Sequence, residues 1–239
     1  MTTSKPLIAL SLPTLGCFDT NLAHLISHLI ATPSDAIVVA SEVCLTGFAY
    51  DRFAHAAAFT PMALEALLGC VGERLLMFTA ITHEDGKFYN TAYALSGGKI
   101  LHTQSKAHLF TLGGEGNHFT AGATEGIVSF TFEGIRIGIL ICFELRFLAL
   151  WEQLKGCDLI AVPAQWGKLR AHHFHTLSGA LAIMNQCYVV ACDARNDDNS
   201  GESAIITPFG KRATPPLESR YEPKTLKAMR RYLTVGIEP

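Results

Sequence analysis

Hydrophobic positions fall into short, wholly apolar runs separated by stretches in which apolar residues recur every three or four positions, a pattern that predicts strands alternating with helices. Residues 7–12 predict a first buried strand, and residues 21–30, preceded by Asp19, a helix that Pro33 closes. Residues 36–40 are apolar throughout, as in a strand buried on both faces, and run directly into Ser41 and Glu42. A helix is expected at 62–68, after Pro61. Residues 75–82 and 88–96 flank Asp85-Gly86-Lys87, and Gly97-Gly98 leads into 99–106, which reads as an antiparallel meander. Residues 107–126, rich in Gly, His and Phe without a period, predict a long ordered loop. A hairpin of 127–132 and 135–141 turns at Glu133-Gly134. A helix at 147–155, a strand at 158–162, a helix within 172–186, strands at 187–192 and 204–207 and a terminal helix at 225–233 complete the chain. Because hairpins interrupt the alternation, a pair of mixed sheets flanked by helices fits better than a doubly wound parallel sheet.

Composition narrows the class. With 239 residues, 49% of them hydrophobic, and with no repeat, low-complexity tract or linker, the chain predicts one domain spanning 1–239. The 19 Lys and Arg against 21 Asp and Glu give a net charge of -2 without a basic stripe, so a nucleic-acid partner has no electrostatic support. Apolar runs are expected to stop short of the roughly 18 residues that cross a membrane. Lys5, the apolar 7–12 and Leu15-Gly16-Cys17 resemble a lipidated leader, but the run is too short and Pro13 cuts it, so a strand is the better reading. Seven cysteines, at 17, 44, 70, 142, 157, 187 and 192, are odd in number, form no C-x-x-C pair and sit mostly among apolar residues, which suits a reducing cytoplasm.

Three positions carry chemistry. Cys142 ends the apolar run 135–141 and is followed at once by charged residues, the junction at which a strand delivers a nucleophile to the N–H groups opening a helix. Glu42 ends another apolar strand, where a carboxyl is suited to proton transfer. Lys106 ends a third, where a half-buried ammonium needs a carboxylate partner and is expected to lower the thiol pKa and bond an oxyanion. All three lie at C-terminal strand ends, the edge at which α/β folds gather their sites.

The ordered set Ser41-Glu42-Val43-Cys44-Leu45-Thr46-Gly47-Phe48, Lys106-Ala107-His108-Leu109-Phe110, the glycine-rich 114–122 and Ile141-Cys142-Phe143-Glu144-Leu145-Arg146-Phe147 resembles the nitrilase (carbon-nitrogen hydrolase) superfamily. Pro163-Ala164-Gln165-Trp166, the stretch 185–190, 205–210 and the terminal 226–233 extend the resemblance over nearly the whole chain. The resemblance implies a four-layer αββα sandwich of two mixed sheets flanked by helices, and a Glu-Lys-Cys triad. Position by position, Glu42 is then the general base, Lys106 the oxyanion stabiliser, Cys142 the nucleophile, Glu115 a second carboxylate orienting Lys106 or substrate, and the Phe143 N–H a second oxyanion donor. It also implies thioester chemistry without a cofactor, a small-molecule amide substrate and a homodimer or higher homo-oligomer. Cys142-Phe143-Glu144-Leu145-Arg146-Phe147 is most similar to the ω-amidase and Nit-like branch, so Phe143, Glu144, Arg146 and Trp166 are the expected substrate-binding residues. Arg146 is equally compatible with binding a substrate carboxylate and with a structural ion pair. Departures fall outside the triad: Ser41, Glu144, Leu148, Leu181, Met184 and Asp193 replace the usual residues, and the segment between Gly210 and Leu226 is short.

Other readings stay open. Hydrolysis of an N-carbamoyl amino acid or a nitrile is the alternative chemistry, and a catalytically silent binding protein the alternative of another class. His172 and His175, one helical turn apart, invite a metal, but no third ligand stands at a convincing spacing and none is expected.

Overall fold

In a computed structural model, which describes residues 4–213, 217–233 and 236–237, the chain begins with β1 (Lys5–Leu10), α1 (Phe18–Ala31), β2 (Ile37–Ala40), α2 (Phe53–Cys70), β3 (Leu75–Glu84), β4 (Lys87–Ser96) and β5 (Lys99–Ser105). Short 3-10 turns then lead to β6 (Phe130–Phe132), β7 (Ile135–Ile139), α3 (Leu148–Gln153), β8 (Leu159–Ala164), α4 (Ala171–Met184) and β9 (Tyr188–Asp193). β10 (Ala204–Ile206), β11 (Arg212–Ala213), β12 (Glu218–Tyr221) and α5 (Pro223–Tyr232) close the sequence. The ends of the expected domain, 1–3 and 238–239, lie outside the described residues.

One sheet has the order β12-β1-β2-β3-β4-β5 and the other β11-β10-β9-β8-β7-β6. Each is mixed: β1, β2 and β3 run parallel in the first and β7, β8 and β9 in the second, with antiparallel strands on both sides. Successive side chains on a strand face opposite ways. Leu7, Ala9, Ile37, Val39, Leu75 and Met77 therefore enter the core shared with the second sheet, while Ile8, Leu10, Val38, Ala40, Leu76 and Phe78 pack with Leu25, Leu29, Phe59 and Leu67 of α1 and α2. Leu150 and Trp151 of α3 and Phe174 and Leu181 of α4 cover the second sheet. The layers are αββα, the expected architecture.

Several boundaries differ from the expectation, each for a local reason. α2 begins at Phe53, which places Pro61 inside the helix rather than before it. The missing N–H costs about 3 kcal/mol in a helix interior, but the buried stripe Phe53, Ala56, Ala57, Thr60, Ala63 and Leu67 runs across Pro61, and Thr60 Oγ1 donates to Ile81 O (2.7 Å). α2 also corrects the expectation that every apolar run is too short for a membrane: its 18 residues have a mean hydropathy of 1.3. Its buried stripe rests on the first sheet instead. β6 starts only at Phe130, and β7 ends at Ile139, before the cysteine. β11 and β12 were not expected; β12 is polar along most of its length and owes its place to pairing with β1, Lys5 opposite Tyr221.

The long loop after β5 returns close to its start, because Gly122 donates from its N–H to Lys106 O (2.8 Å). A Cβ at Gly122 would stand 2.5 Å from Ser105 O, so only glycine permits this approach. Gly122→Ala should destabilise the fold by about 1–3 kcal/mol, read as a lower urea midpoint with an unchanged slope.

Candidate active site

Strand ends from both sheets converge on one buried point. β2 ends at Ala40 and leads to Glu42, β5 leads to Lys106, β7 through Leu140 and Ile141 to Cys142, and β8 to Gln165 and Trp166. The two sheets are laced together here. Gln104 Nε2 donates to Ile139 O (3.1 Å), Glu42 N to Ala164 O (3.3 Å), and Gln165 Nε2 to Glu42 O (3.0 Å).

Lys106 is the centre of the cluster. Its side chain is 0% exposed, and Nζ lies 2.7 Å from Glu42 Oε1 and 2.8 Å from Glu115 Oε1. Burial works against the ammonium, but the charges of Glu42, Cys142 and Glu115 outweigh it and hold the amine above lysine's usual range, charged throughout neutral pH. Burial raises the Glu115 carboxyl, with Lys106 pulling against it. The second oxygen of Glu115 accepts the Phe110 N–H (2.9 Å), which anchors the loop to the site. Glu42 accepts at Oε1 from Asn90 Nδ2 (2.8 Å) as well as from Lys106, and at Oε2 from Gln165 N (3.0 Å).

Cys142 opens a 3-10 turn, Cys142–Arg146, with φ +47°, a left-handed conformation that costs a non-glycine residue about 1–3 kcal/mol. The bend brings the sulfur out of the strand direction and toward Glu42. Burial first and the Glu42 charge second push the thiol well above its usual range, while Lys106 pulls it down. The pull of Lys106 is the expected one, and burial together with the Glu42 charge outweighs it.

The expected substrate-binding residues divide. Phe143, Arg146 and Trp166 line a cavity of about 30 Å³ at Cys142, together with Phe110, Gln165, Gly167 and Arg170. Glu144 does not line it. Its carboxylate turns inward, accepting the Ala107 N–H at Oε1 and the Ile141 N–H at Oε2, each at 2.7 Å, so it ties the Lys106 loop to the Cys142 turn. Arg146 stacks on Trp166 (4.8 Å to the ring centroid) and donates to His173 Nδ1 (2.9 Å), with no carboxylate in ion-pair range among the described residues. His175 faces Glu202 (2.8 Å) instead. A larger cavity, about 790 Å³, lies elsewhere, between α2 and the outer face of β3–β5.

Three contributors escaped sequence reasoning. Asn90 could have been found, since β4 alternation places it inward in line with Ala92 and Ala94, where an amide is out of place. Arg170, over the Phe110 ring (4.9 Å), had no periodic signal in an irregular segment. Asp193 accepts the Trp166 N–H (2.7 Å) and is raised to about 6 by burial.

The carbon-nitrogen hydrolase family model matches residues 25–228. The chain belongs to the carbon-nitrogen hydrolase family. It is 35% identical over 148 residues to the deaminated glutathione amidase of Escherichia coli O157:H7, a match that covers 58% of this chain and 56% of that enzyme. To an omega-amidase of Yersinia enterocolitica it is 30% identical over 205 residues, covering 80% of this chain and 76% of the relative. The chain thus spans little more than half the length of the first of these relatives and about three quarters of the second. In three dimensions it is similar to Nit3 of Saccharomyces cerevisiae, a nitrilase-superfamily member, with a TM-score of 0.81 at 20% identity over 98% of this chain and 95% of the other.

Glu144 offers a test of the tie it makes. Burial raises it to about 7 against the ordinary 4.5, with the two backbone N–H groups pulling down. The folded state therefore holds its proton more tightly than the unfolded chain, and the stability this group contributes is present below pH 4.5 and lost as pH rises through 7. Glu144→Gln presents an NH2 to one backbone N–H and should cost about 1–3 kcal/mol. Urea titrations should show the wild-type advantage shrinking between pH 5 and pH 8.

Proposed function

We propose that the chain is an amidase that cleaves the C–N bond of a small, carboxylate-bearing amide through a Cys142 thioester, as one domain over 1–239. The observation that carries this reading is the buried contact of Lys106 Nζ with Glu42 Oε1 (2.7 Å), beside the Cys142 thiol and beneath a cavity. The amidase names of the relatives support the substrate class.

Glu42 takes the thiol proton as Sγ attacks the amide carbon. The carbonyl oxygen becomes an oxyanion between Lys106 Nζ and the Phe143 N–H, one of the amides that open a helical turn without an intrahelical partner. The C–N bond breaks, Glu42 returns the proton to the departing nitrogen, and ammonia or an amine leaves. Water then gives its proton to Glu42 and attacks the thioester; the C–S bond breaks, the sulfur is reprotonated and a carboxylic acid departs. Glu115 holds Lys106 in line, and no step needs a cofactor. A thiol that is neutral at rest makes the base indispensable.

Arg146 and Arg170 stand over the cavity without carboxylate partners among the described residues, which favours an anionic tail on the substrate. At about 30 Å³ the cavity has room for little more than a water, so these side chains move when an amide reaches the sulfur. Seven free cysteines fit a reducing compartment such as the cytoplasm. Exposed Ile183, Met184 and Phe209 on and beside α4 give an apolar surface for a homodimer, and a monomer by light scattering would remove that part of the reading.

The test is ammonia release from a panel of ω-amides of dicarboxylic acids, uncharged amides, N-carbamoyl amino acids and nitriles. Cys142→Ala and Glu42→Gln should lose turnover and keep the fold. Arg146→Leu and Arg170→Leu should each raise KM for the carboxylate-bearing amides about tenfold or more, with uncharged amides little affected. Turnover of Cys142→Ala at the wild-type rate overturns the mechanism. Silence across the panel, with Cys142 inert to iodoacetamide at neutral pH, makes the chain a binding protein instead.

A further inference from the structure

Asn90 sits fully buried on β4, in the inward row it shares with Ala92 and Ala94, opposite Ile81 of β3. Its side chain is only half satisfied: Nδ2 donates to Glu42 Oε1 (2.8 Å), while Oδ1 has no partner among the described residues. A buried acceptor without a partner costs about 1–3 kcal/mol, and a third alanine would carry no such cost. Its backbone carbonyl also accepts the Lys106 N–H (2.8 Å), so the residue touches two of the three chemical groups. The two oxygens of Glu42 consequently differ. Oε1 accepts two side-chain donors, Lys106 Nζ at 2.7 Å and Asn90 Nδ2 at 2.8 Å, whereas Oε2 accepts one backbone N–H at 3.0 Å.

We infer that Asn90 is a positioning residue that decides which oxygen of Glu42 takes the proton, saturating Oε1 so that Oε2 receives it from the thiol and later from water. The inference rests on the reading of Glu42 as the base. With both donors in place, a proton on Oε1 would displace a charge-assisted hydrogen bond, so the transfer runs through the oxygen that keeps a free lone pair.

The other ionisable groups around Glu42 are Lys106 at the end of β5, Glu115 in the loop, Cys142 in its turn and the Tyr50 phenol, which burial, then Glu115 and Glu42, raise to about 12. All are present in wild type and variants alike, so a displacement between their pH profiles belongs to Asn90. The probe is iodoacetamide, with the alkylation rate of the Cys142 peptide followed by mass from pH 4.5 to 9. Wild type should show an acid-side inflection. Asn90→Ala should move it up by about one pH unit, the strength of a charge-assisted hydrogen bond, and slow the plateau about tenfold. Asn90→Asp, nearly the same size and able to fold where alanine fails, sets a second carboxylate against Oε1 and should move the inflection further than alanine does. If Asn90 only filled space, aspartate would match wild type and alanine alone would differ; that order overturns the inference, as do coincident profiles for all three. Glu42→Gln should abolish the inflection. An unchanged Glu42→Gln profile overturns the base reading itself, which separates that failure from one confined to Asn90.

Discussion

An ammonium with no access to water can exist only where carboxylates surround it, and that requirement at Lys106 organises the molecule. Burying a lone ion costs several kcal/mol even after relaxation, and the cost is offset only with close, well-aligned partners. Glu42 and Glu115 meet that demand from two different segments, at 2.7 and 2.8 Å. Once the three are assembled, the neighbouring sulfur has no freedom to ionise by itself, since a second anion beside Glu42 is disfavoured. Protonation is thereby shared among the groups, and the chemistry becomes a transfer within a closed set.

Scaffolding around this set consists largely of backbone amides. Glu144 takes two of them, Asp193 takes the Trp166 N–H, and Glu115 takes the Phe110 N–H. Glu144 joins the Lys106 loop to the Cys142 turn, Asp193 joins the Trp166 loop to the end of β9, and Glu115 ties its own loop to Lys106. Acid side chains serve here as fasteners, with burial raising Glu144 to about 7 and Asp193 to about 6.

The residues best read from sequence were those whose polarity broke an apolar run. Glu42 and Cys142 each end such a run, Lys106 ends the mostly polar β5, and all three meet in space. The two-sheet architecture was legible for a related reason, because hairpins interrupt the alternation of strands and helices and leave each sheet mixed. What escaped was long-range or unpatterned. Polar β12 is a strand only because β1 offers an edge 216 positions away, Lys5 against Tyr221. Glu144 looked like a substrate contact because it lies beside Cys142 in sequence, yet its carboxylate turns inward to Ala107 and Ile141. Pro61 signalled a helix start, and burial of the stripe around it overrode that local signal. The net shift of the Cys142 thiol was not legible, because the sum of burial, two carboxylates and the expected pull of Lys106 depends on distances that no spacing encodes.

Glu42 and Cys142, the proposed base and nucleophile, stand on different sheets, beyond β2 and beyond β7. Their separation is accordingly a dimension of the interior, set by the thickness of the side chains between the sheets, among them Ala9, Val39, Ala92 and Ile139. The apolar core works as a gauge block for the reaction. A methyl group gained or lost in the middle of the sandwich alters the distance between these two groups at its rim, so the spacing of the proposed chemistry can be set by residues that never line the cavity.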